Sequence, residues 1–169
     1  IDPTHSEIGF KVKHMMFTNV SGKFDQYDGS IETEENDFTT AKISFSAAID
    51  SIDTRNSDRD NHLKSADFFD AENHPKLTFT GKSFSKINEN NYELVGDLNI
   101  KDITKEVKLP VEFSGLMQDP WGNTKVGLNI EGKINRKDWG LNWNSALETG
   151  GVLVGEEVKL IIDLQLVKS

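Results

Sequence analysis

Apolar and polar residues alternate along most of this chain, so that every second residue is apolar over one short stretch after another. Near the start, Ile8, Phe10 and Val12 alternate with glycine and lysine. Such alternation is typical of a β-strand with one buried face and one solvated face. No segment of helix length shows the period of about 3.6 residues that an amphipathic helix needs. The strands must therefore bury their apolar faces against one another.

Eight strands are predicted from this pattern, and mostly short connections join them. The apolar positions that define them are, in chain order, Ile8, Phe10 and Val12; Val20, Phe24 and Ile31; Ile43, Phe45 and Ile49; Leu77 and Phe79; Tyr92, Leu94, Leu98 and Ile100; Val107, Leu109, Val111 and Phe113; Val126, Leu128, Ile130 and Ile134; Val158, Leu160, Ile162, Leu164 and Leu166. A bulge is expected in the second strand near residues 26–28. Eight such strands can hide one face as a sandwich or as a closed barrel. The short hairpins favour an all-β, eight-stranded, antiparallel up-and-down barrel, which is just wide enough to fill itself or to hold one slim ligand.

The stretch 51–75 is the long interruption of this strand pattern. Its first part is too polar for a strand, and Ser57 or Asp58 is predicted to cap a short helix over residues 59–65. The adjacent Phe68 and Phe69 follow between two aspartates, and their rings need apolar surroundings. We interpret the stretch as a short helical lid after the third strand, folded over one mouth of the barrel with both rings pointing inward.

The composition fits one domain over residues 1–169 and argues against several classes of function. The net charge of −9 is wrong for a protein that binds nucleic-acid phosphates, so no nucleic-acid partner is expected. No apolar run approaches the roughly 20 residues of a membrane-spanning helix, so no stable membrane insertion is expected. The absence of cysteine excludes disulfides, thiolate catalysis and zinc–thiolate sites. The four histidines lack metal-ligand spacing, so neither a metal nor a required cofactor is predicted.

Four glycines at inward or strand-interior positions leave two interpretations open. Gly22, Gly81, Gly96 and Gly132 either mark bulges and barrel corners or make room for a ligand. The inner faces otherwise carry phenylalanine, leucine, isoleucine and valine with very few polar groups. A cavity with such walls suits a long hydrocarbon chain.

The polar residues that are candidates for ligand contact also allow more than one interpretation. His14 continues the inner face of the first strand, where it either hydrogen-bonds the backbone at the strand end or contacts a ligand head group. Arg59, Asp60, Asp53 and Arg136 either form a charge network that pins the lid to the loop at 135–141, or supply one arginine to a phosphate or quinone head. The sequence shows no pair of nucleophile and base, so no catalytic residue is predicted.

The order and spacing of many short motifs identify a family resemblance. The motifs are Asp2-Pro3-x-His5-Ser6, Phe10-Lys11-Val12-Lys13-His14 and Val20-Ser21-Gly22-Lys23-Phe24; Ser51-Ile52-Asp53-Thr54, Arg59-Asp60-x-His62-Leu63-Lys64-Ser65-x-Asp67-Phe68-Phe69-Asp70, Pro75 and Thr78-Phe79; Gly96-Asp97-Leu98 and Thr104-Lys105; Asn135-Arg136-x-Asp138-Trp139-Gly140-Leu141 and Val154-Gly155-Glu156-Glu157-Val158. Together they span essentially the whole chain. The chain resembles the YceI-like family of polyisoprenoid-binding, lipocalin-like bacterial proteins.

This resemblance implies a lipocalin-like barrel that holds an isoprenoid, an acyl-chain lipid or a quinone-like molecule in its core. It also implies a homodimer and, as in many family members, export to the periplasm or secretion, although a cytoplasmic location stays open. The residues predicted to contact the ligand lie on the inner strand faces, on the lid and at the aromatic segments outside the strands. They are Phe10, Val12, His14, Met16, Phe17, Phe24, Phe45, Arg59, Phe68, Phe69, Phe79, Leu94, Leu98, Phe113, Leu128, Trp139, Leu141 and Trp143. Those outside the strands either plug the ends of the barrel, contact the ligand, or do both.

The function expected from these features is the binding, storage or transport of a polyisoprenoid or other long-chain amphiphilic lipid, without catalysis. One alternative is an enzyme that acts on a lipidic substrate inside the barrel, with His14 or an acidic residue as general base. The other alternative is a stress-related structural protein whose core is filled by its own side chains.

Overall fold

The computed structural model describes residues 1–169, which form one curled sheet of ten antiparallel strands and one short α-helix. The strands are β1 (Glu7–His14), β2 (Thr18–Phe24), β3 (Tyr27–Glu34), β4 (Asp37–Ala48), β5 (Ile52–Asp53), β6 (Lys76–Lys86), β7 (Asn91–Ile100), β8 (Ile103–Gln118), β9 (Thr124–Asn135) and β10 (Val154–Val167). The helix is α1 (Ser57–Lys64), and short 3-10 turns cover Pro3–His5, Ile49–Ser51 and Arg136–Trp139. The strand order across the sheet is β3-β4-β6-β7-β8-β9-β10-β1-β2-β5.

The prediction of an all-β antiparallel fold is confirmed, whereas the predicted count of eight strands is wrong. The sheet curls into a half-barrel of ten strands, with β3 at one end of the strand order and β5 at the other. The predicted second strand breaks at Asp25 and Gln26, because their backbone groups pair with the segment that enters the lid. Asp25 N donates to Ser51 O at 3.1 Å, and Ala48 N donates to Gln26 O at 2.9 Å. The second additional strand is the two-residue β5, which pairs with the end of β2.

The lid segment contains the α-helix of the structure, shifted slightly from its predicted position. The helix begins at Ser57, and its N-cap is Asn56, whose Oδ1 accepts a hydrogen bond from Arg59 N at 3.0 Å. Beyond the helix, Phe68 is buried and Phe69 is half-buried against the hydrophobic core. No helix in the structure has the length and apolar character required to span a membrane.

The core is unevenly distributed around the curled sheet. On β6 to β9, inward side chains such as Leu94 and Leu109 are almost fully buried. On β10, β1 and β4, the equivalent inward residues Leu160, Phe10 and Ile43 are only half-buried. Inward-facing residues stay accessible only where their neighbours leave space between them. The unfilled space therefore lies along the β10, β1 and β4 side of the sheet.

All four inward glycines are covered by a large side chain of the chain itself. A Cβ atom added to them would collide with the Phe10 ring at Gly22, with the Phe79 ring at Gly96, with Leu109 Cδ2 at Gly132 and with Ile43 Cβ at Gly81. The glycines thus give room to neighbouring side chains. The bulge interpretation fits Gly81, where the pairing of β6 with β7 shifts register before Ser83.

Candidate ligand-binding site

A cavity of about 610 Å³ lies inside the curled sheet and extends to the lid. Of the 45 residues that line it, 34 are hydrophobic. Small-molecule sites have volumes of roughly 300–1,000 Å³ and mostly apolar walls with a few polar groups. The cavity therefore has the size and the lining of a site for a hydrophobic ligand.

Fifteen of the eighteen residues predicted to contact a ligand line this cavity. They come from the inner faces of six strands, from the lid and from the segment after β9. They are Phe10, Val12, His14, Phe24, Phe45, Arg59, Phe68, Phe69, Phe79, Leu94, Leu98, Leu128, Trp139, Leu141 and Trp143.

The three remaining residues do not line the cavity. Met16 and Phe17 belong to the turn between β1 and β2, and 60 % and 82 % of their surfaces are exposed. Met16 has a positive φ of 64°, so the turn directs both side chains away from the strand face. Phe113 is buried instead in an aromatic cluster, with ring centroids 4.9 Å from Phe38 and 5.1 Å from Tyr92. The structure thus places Met16 and Phe17 in an exposed turn and Phe113 in the core packing, outside the wall of the cavity.

The inner face of β10 is a large part of the cavity wall that the sequence analysis did not assign to the site. Its apolar side chains are all half-buried and all border the cavity. They are Val158, Leu160, Ile162, Leu164 and Leu166. The alternation that predicts this strand also marks these residues as inward-facing. However, alternation does not tell which inner faces border empty space and which are packed.

Aromatic side chains line the cavity where it meets the lid. Trp139 is almost fully buried, and its Nε1–H donates to Leu98 O at 2.9 Å, which fixes the ring against β7. Trp143 packs against Phe68 with ring centroids 5.4 Å apart, and it contacts His62 edge-to-face at 4.6 Å. This end is therefore built from side chains of both the lid and the segment after β9.

Arg136 is a buried cation that holds the segment after β9 through backbone carbonyls. Nε donates to Gly155 O at 2.7 Å, Nη1 donates to Leu141 O and Trp143 O at 2.6 and 2.9 Å, and Nη2 donates to Val154 O at 3.2 Å. Burial lowers the pKa of Arg136 from its ordinary value, although a nearby glutamate opposes this shift. Arg136 thus ties the start of β10 to the loop that carries Trp143.

Arg59 belongs to a separate cluster inside the lid. Its Nε donates to Thr54 Oγ1 at 2.8 Å, and its Nη2 donates to Thr54 O at 2.7 Å. Asp60 Oδ1 accepts hydrogen bonds from both the backbone N and the hydroxyl of Thr54. No carboxylate forms an ion pair with Arg59 or Arg136. The charge network suggested for Arg59, Asp60, Asp53 and Arg136 is therefore not formed.

The two histidines that line the cavity differ in their surroundings. His14 is half-buried, and its imidazole makes no hydrogen bond within the chain. The interpretation that His14 hydrogen-bonds the backbone at the end of its strand is therefore wrong. His62 Nε2 lies 2.9 Å from Asp67 Oδ2. No group of three or more histidine, aspartate or glutamate side chains is placed to hold a metal ion. The polar groups of the cavity are thus few.

The glycine contacts lead to a matched pair of stability predictions. In Gly96→Ala, the new methyl group would meet Thr80 O at 2.6 Å as well as the ring of Phe79. We expect the free energy of unfolding to fall by about 1–3 kcal/mol, because backbone of a paired strand has little freedom to move. In Gly22→Ala, the three nearest atoms belong to the Phe10 ring, which borders the cavity and has space to move into. We therefore expect a smaller loss of stability together with weaker ligand binding.

Urea unfolding of both variants, followed by tryptophan fluorescence, measures the two free energies. Equal losses of stability in Gly22→Ala and Gly96→Ala would show that the space beside Phe10 is not available to its ring.

Comparisons with known proteins agree over nearly the whole chain. A family model described as the YceI-like domain matches residues 1–166. The Staphylococcus aureus (strain MSSA476) protein called UPF0312 protein SAS2572 is 45 % identical over 159 residues, which cover 94 % of this chain and 90 % of that relative.

Two solved structures resemble the fold. The Campylobacter jejuni YCEI protein is 31 % identical, with a TM-score of 0.80 over 100 % of this chain and 96 % of that one. A polyisoprenoid binding domain from Saccharophagus degradans has a TM-score of 0.69 at 14 % identity, over 97 % of this chain and 94 % of that one. At this lower identity, the likeness concerns the fold alone.

Proposed function

We propose that this chain, which belongs to the YceI-like domain family, binds a polyisoprenoid or another long-chain amphiphilic lipid in its cavity and carries it without chemical change. Membership of the family confirms the resemblance that the sequence motifs indicated. The observation that carries the proposal is the apolar cavity of about 610 Å³, whose walls include half-buried inward side chains on several strands.

Apolar contact alone supplies enough free energy for such binding. At about 25 cal/mol per Å² of buried apolar surface, a hydrocarbon chain that buries several hundred Å² gains several kcal/mol before the cost of ordering it. Leu160, Ile162 and Leu164 border the cavity along one strand and present a continuous apolar wall to such a chain. No strong polar contact is therefore required to hold the tail.

A structural neighbour supports the choice of ligand class. The Saccharophagus degradans structure is described as a polyisoprenoid binding domain, and its fold is similar to that of this chain. We propose the same class of ligand for the present chain because the side chains that line its cavity are mostly apolar.

A transfer assay between lipid vesicles tests the proposal. Donor vesicles contain geranylgeraniol, acceptor vesicles do not, and mass spectrometry measures the lipid in the acceptors over time with and without the protein. We expect the transfer rate to rise with protein concentration and the lipid to arrive with its mass unchanged. Absence of any acceleration would overturn the carrier function, and a changed mass would favour an enzyme.

We also propose, from the family resemblance, that the protein is a homodimer located in the periplasm or secreted. Light scattering on a sizing column measures the first property, and fractionation of the native cells measures the second. A monomer at micromolar concentration, or recovery from the cytoplasm, would overturn the respective proposal without affecting the cavity.

A further inference from the structure

Two neighbouring loops form one exposed apolar surface, which we call the tip. The turn between β1 and β2 contributes Met15, Met16 and Phe17, and the loop before β10 contributes Val152. All four side chains are exposed to solvent. Single apolar side chains on a surface are ordinary, whereas a contiguous group of them marks a site of interaction. The tip is therefore a candidate docking surface.

The backbone of the tip is ordered by contacts between its two loops. Met15 N donates to Leu153 O at 2.8 Å, and the Met16 sulfur lies so close to Gly151 that no Cβ atom would fit there. Met15 and Met16 have positive φ angles of 52° and 64°. Asparagine and glycine adopt this conformation more readily, so two methionines here lower the stability of the turn. The fold alone gives no reason for large apolar side chains at these positions.

A row of lysines crosses the outer face of the sheet beside the tip. Lys11 of β1 is paired directly with Lys159 of β10, which is paired in turn with Lys133 of β9. Lys13 lies two residues beyond Lys11 along β1, towards the tip. Of these four lysines, only Lys133 forms an ion pair, with Glu157 at 3.7 Å. Like charges directly opposite one another destabilise a sheet, so the row again has no structural reason.

The positive charge is confined to one end of this strand pair. At the far end of β1, Glu7 is paired with Asp163 of β10, so that end is acidic. Close to the tip, Glu156 forms an ion pair with Lys137 at 2.7 Å, and Glu148 is the one charged residue of the two loops, 15–17 and 144–153. In a chain with a net charge of −9, this distribution turns the tip towards a negatively charged partner.

We propose that the tip docks on an anionic lipid surface. Its apolar side chains enter the boundary between head groups and acyl chains, which interfacial segments penetrate by about 5–10 Å. At about 3.3 Å per residue, Lys13 and Lys11 lie about 7 and 13 Å along β1 from Met15. Their flexible side chains reach the lipid phosphates while Phe17 is in the apolar layer. Such docking is peripheral and needs no spanning segment.

The tip adjoins the cavity, so docking has a consequence for a carrier. His14 and Leu153 flank the tip in the chain, and both line the cavity. A protein held to a membrane through the tip therefore brings this part of the cavity wall close to the lipid. The docking surface itself lies outside the cavity, and its test is independent of any carried ligand.

Vesicles without an added isoprenoid test the docking. One set contains phosphatidylcholine alone, and the other contains equal parts of phosphatidylcholine and phosphatidylglycerol. Sedimentation of the vesicles measures the fraction of protein that is bound. We expect the wild-type protein to bind the anionic vesicles about tenfold or more tightly at low salt, and high salt to reduce this preference, because salt screens exposed charges.

Phe17→Ser tests the apolar part of the tip. We expect it to weaken binding to the anionic vesicles about tenfold or more, because the membrane then buries no aromatic ring. Trp121→Ser is the matched control. Trp121 and Phe17 are both 82 % exposed, but Trp121 lies in the hairpin between β8 and β9, near the end of β10, whereas the tip lies at its start. We expect Trp121→Ser to bind vesicles normally, and both variants to bind geranylgeraniol in solution as the wild-type protein does.

A pair of double variants tests the charge. Lys11→Gln combined with Lys13→Gln is expected to reduce the preference for anionic vesicles about tenfold. Lys42→Gln combined with Lys86→Gln changes the net charge equally, at exposed positions of β4 and β6 away from the tip. We expect this control to keep the preference of the wild-type protein.

The outcomes separate docking from the carrier function. Absence of wild-type binding to either kind of vesicle would overturn the docking surface, whereas the transfer and titration experiments decide the carrier function. Equal losses in Phe17→Ser and Trp121→Ser would contradict the location at the tip, and equal losses in the two double variants would contradict the role of Lys11 and Lys13. Dissociation of a dimer by Phe17→Ser, seen on a sizing column, would assign the tip to a second copy of the chain instead of lipid.

Discussion

Replacing Leu160 by tryptophan is expected to weaken lipid binding about 10- to 100-fold while the protein stays folded. Leu160 is half-buried on the inner face of β10, where it is paired with Phe10 of β1 and borders the cavity. The indole would occupy space otherwise available to the ligand tail. Each methylene group that loses its buried position costs about 0.8 kcal/mol, and about 1.4 kcal/mol corresponds to tenfold in affinity. Titration with geranylgeraniol measures the change.

Lys159→Trp is the matched control for this prediction. Lys159 is the neighbouring residue on β10, and its side chain is on the exposed, outer face of the sheet. We expect it to bind the ligand as the wild-type protein does. Normal binding by Leu160→Trp, or equal losses in the two variants, would contradict the location of the ligand between the strands.

Replacing Arg136 by methionine is expected to lower the free energy of unfolding by about 3 kcal/mol or more. Arg136 donates to the carbonyls of Leu141, Trp143, Val154 and Gly155, and methionine has no donor for any of them. The Val154 carbonyl keeps its hydrogen bond from Asn144 Nδ2 at 2.8 Å. A buried carbonyl that loses its donor costs about 1–3 kcal/mol, and relaxation of the loop recovers part of the sum over the other three carbonyls. Guanidinium unfolding followed by circular dichroism measures the change in the midpoint.

The adjacent Lys137 provides the control for this substitution. Lys137 is exposed, and its Nζ lies 2.7 Å from Glu156 Oε1. Because an exposed ion pair contributes about 1 kcal/mol or less, Lys137→Met is expected to have a small effect. If both variants unfolded at the same denaturant concentration, Arg136 would not be the anchor of this segment.

The positions of the strands could be predicted from the sequence, because an inward residue every second position is a local property of each strand. The two errors in the strand count have non-local causes. Asp25 and Gln26 break a strand whose alternation continues on both sides, because their backbone groups bond residues in the segment 48–51. The two-residue β5 exists only as a partner of β2, and two residues are too few to show a period.

The candidate site could be predicted from the sequence only in part. Inward aromatic residues such as Phe10 and Phe45 border the cavity, as their alternation indicates. Phe17 is equally apolar, yet the direction of a turn decides its exposure. Phe113 faces inward but is covered by other rings, and only the packing of distant strands determines this.

The hydrogen-bond partners of Arg59 and Arg136 could not be predicted from the sequence, for a different reason. A motif that contains arginines and aspartates suggests pairs of opposite charge. In the structure, Arg136 bonds main-chain carbonyls and Arg59 bonds Thr54. Main-chain carbonyls occur at every residue, so nothing in the sequence distinguishes the ones that an arginine will reach.

Native mass spectrometry of the protein, purified from the cells that make it and followed by solvent extraction and lipid analysis, tests the central claim most directly. We expect a species with a long isoprenoid or acyl chain at about one molecule per chain. Denaturation should release it and leave the mass of the polypeptide alone. A native mass equal to that of the bare polypeptide, together with no gain in mass after incubation with geranylgeraniol, would contradict the account.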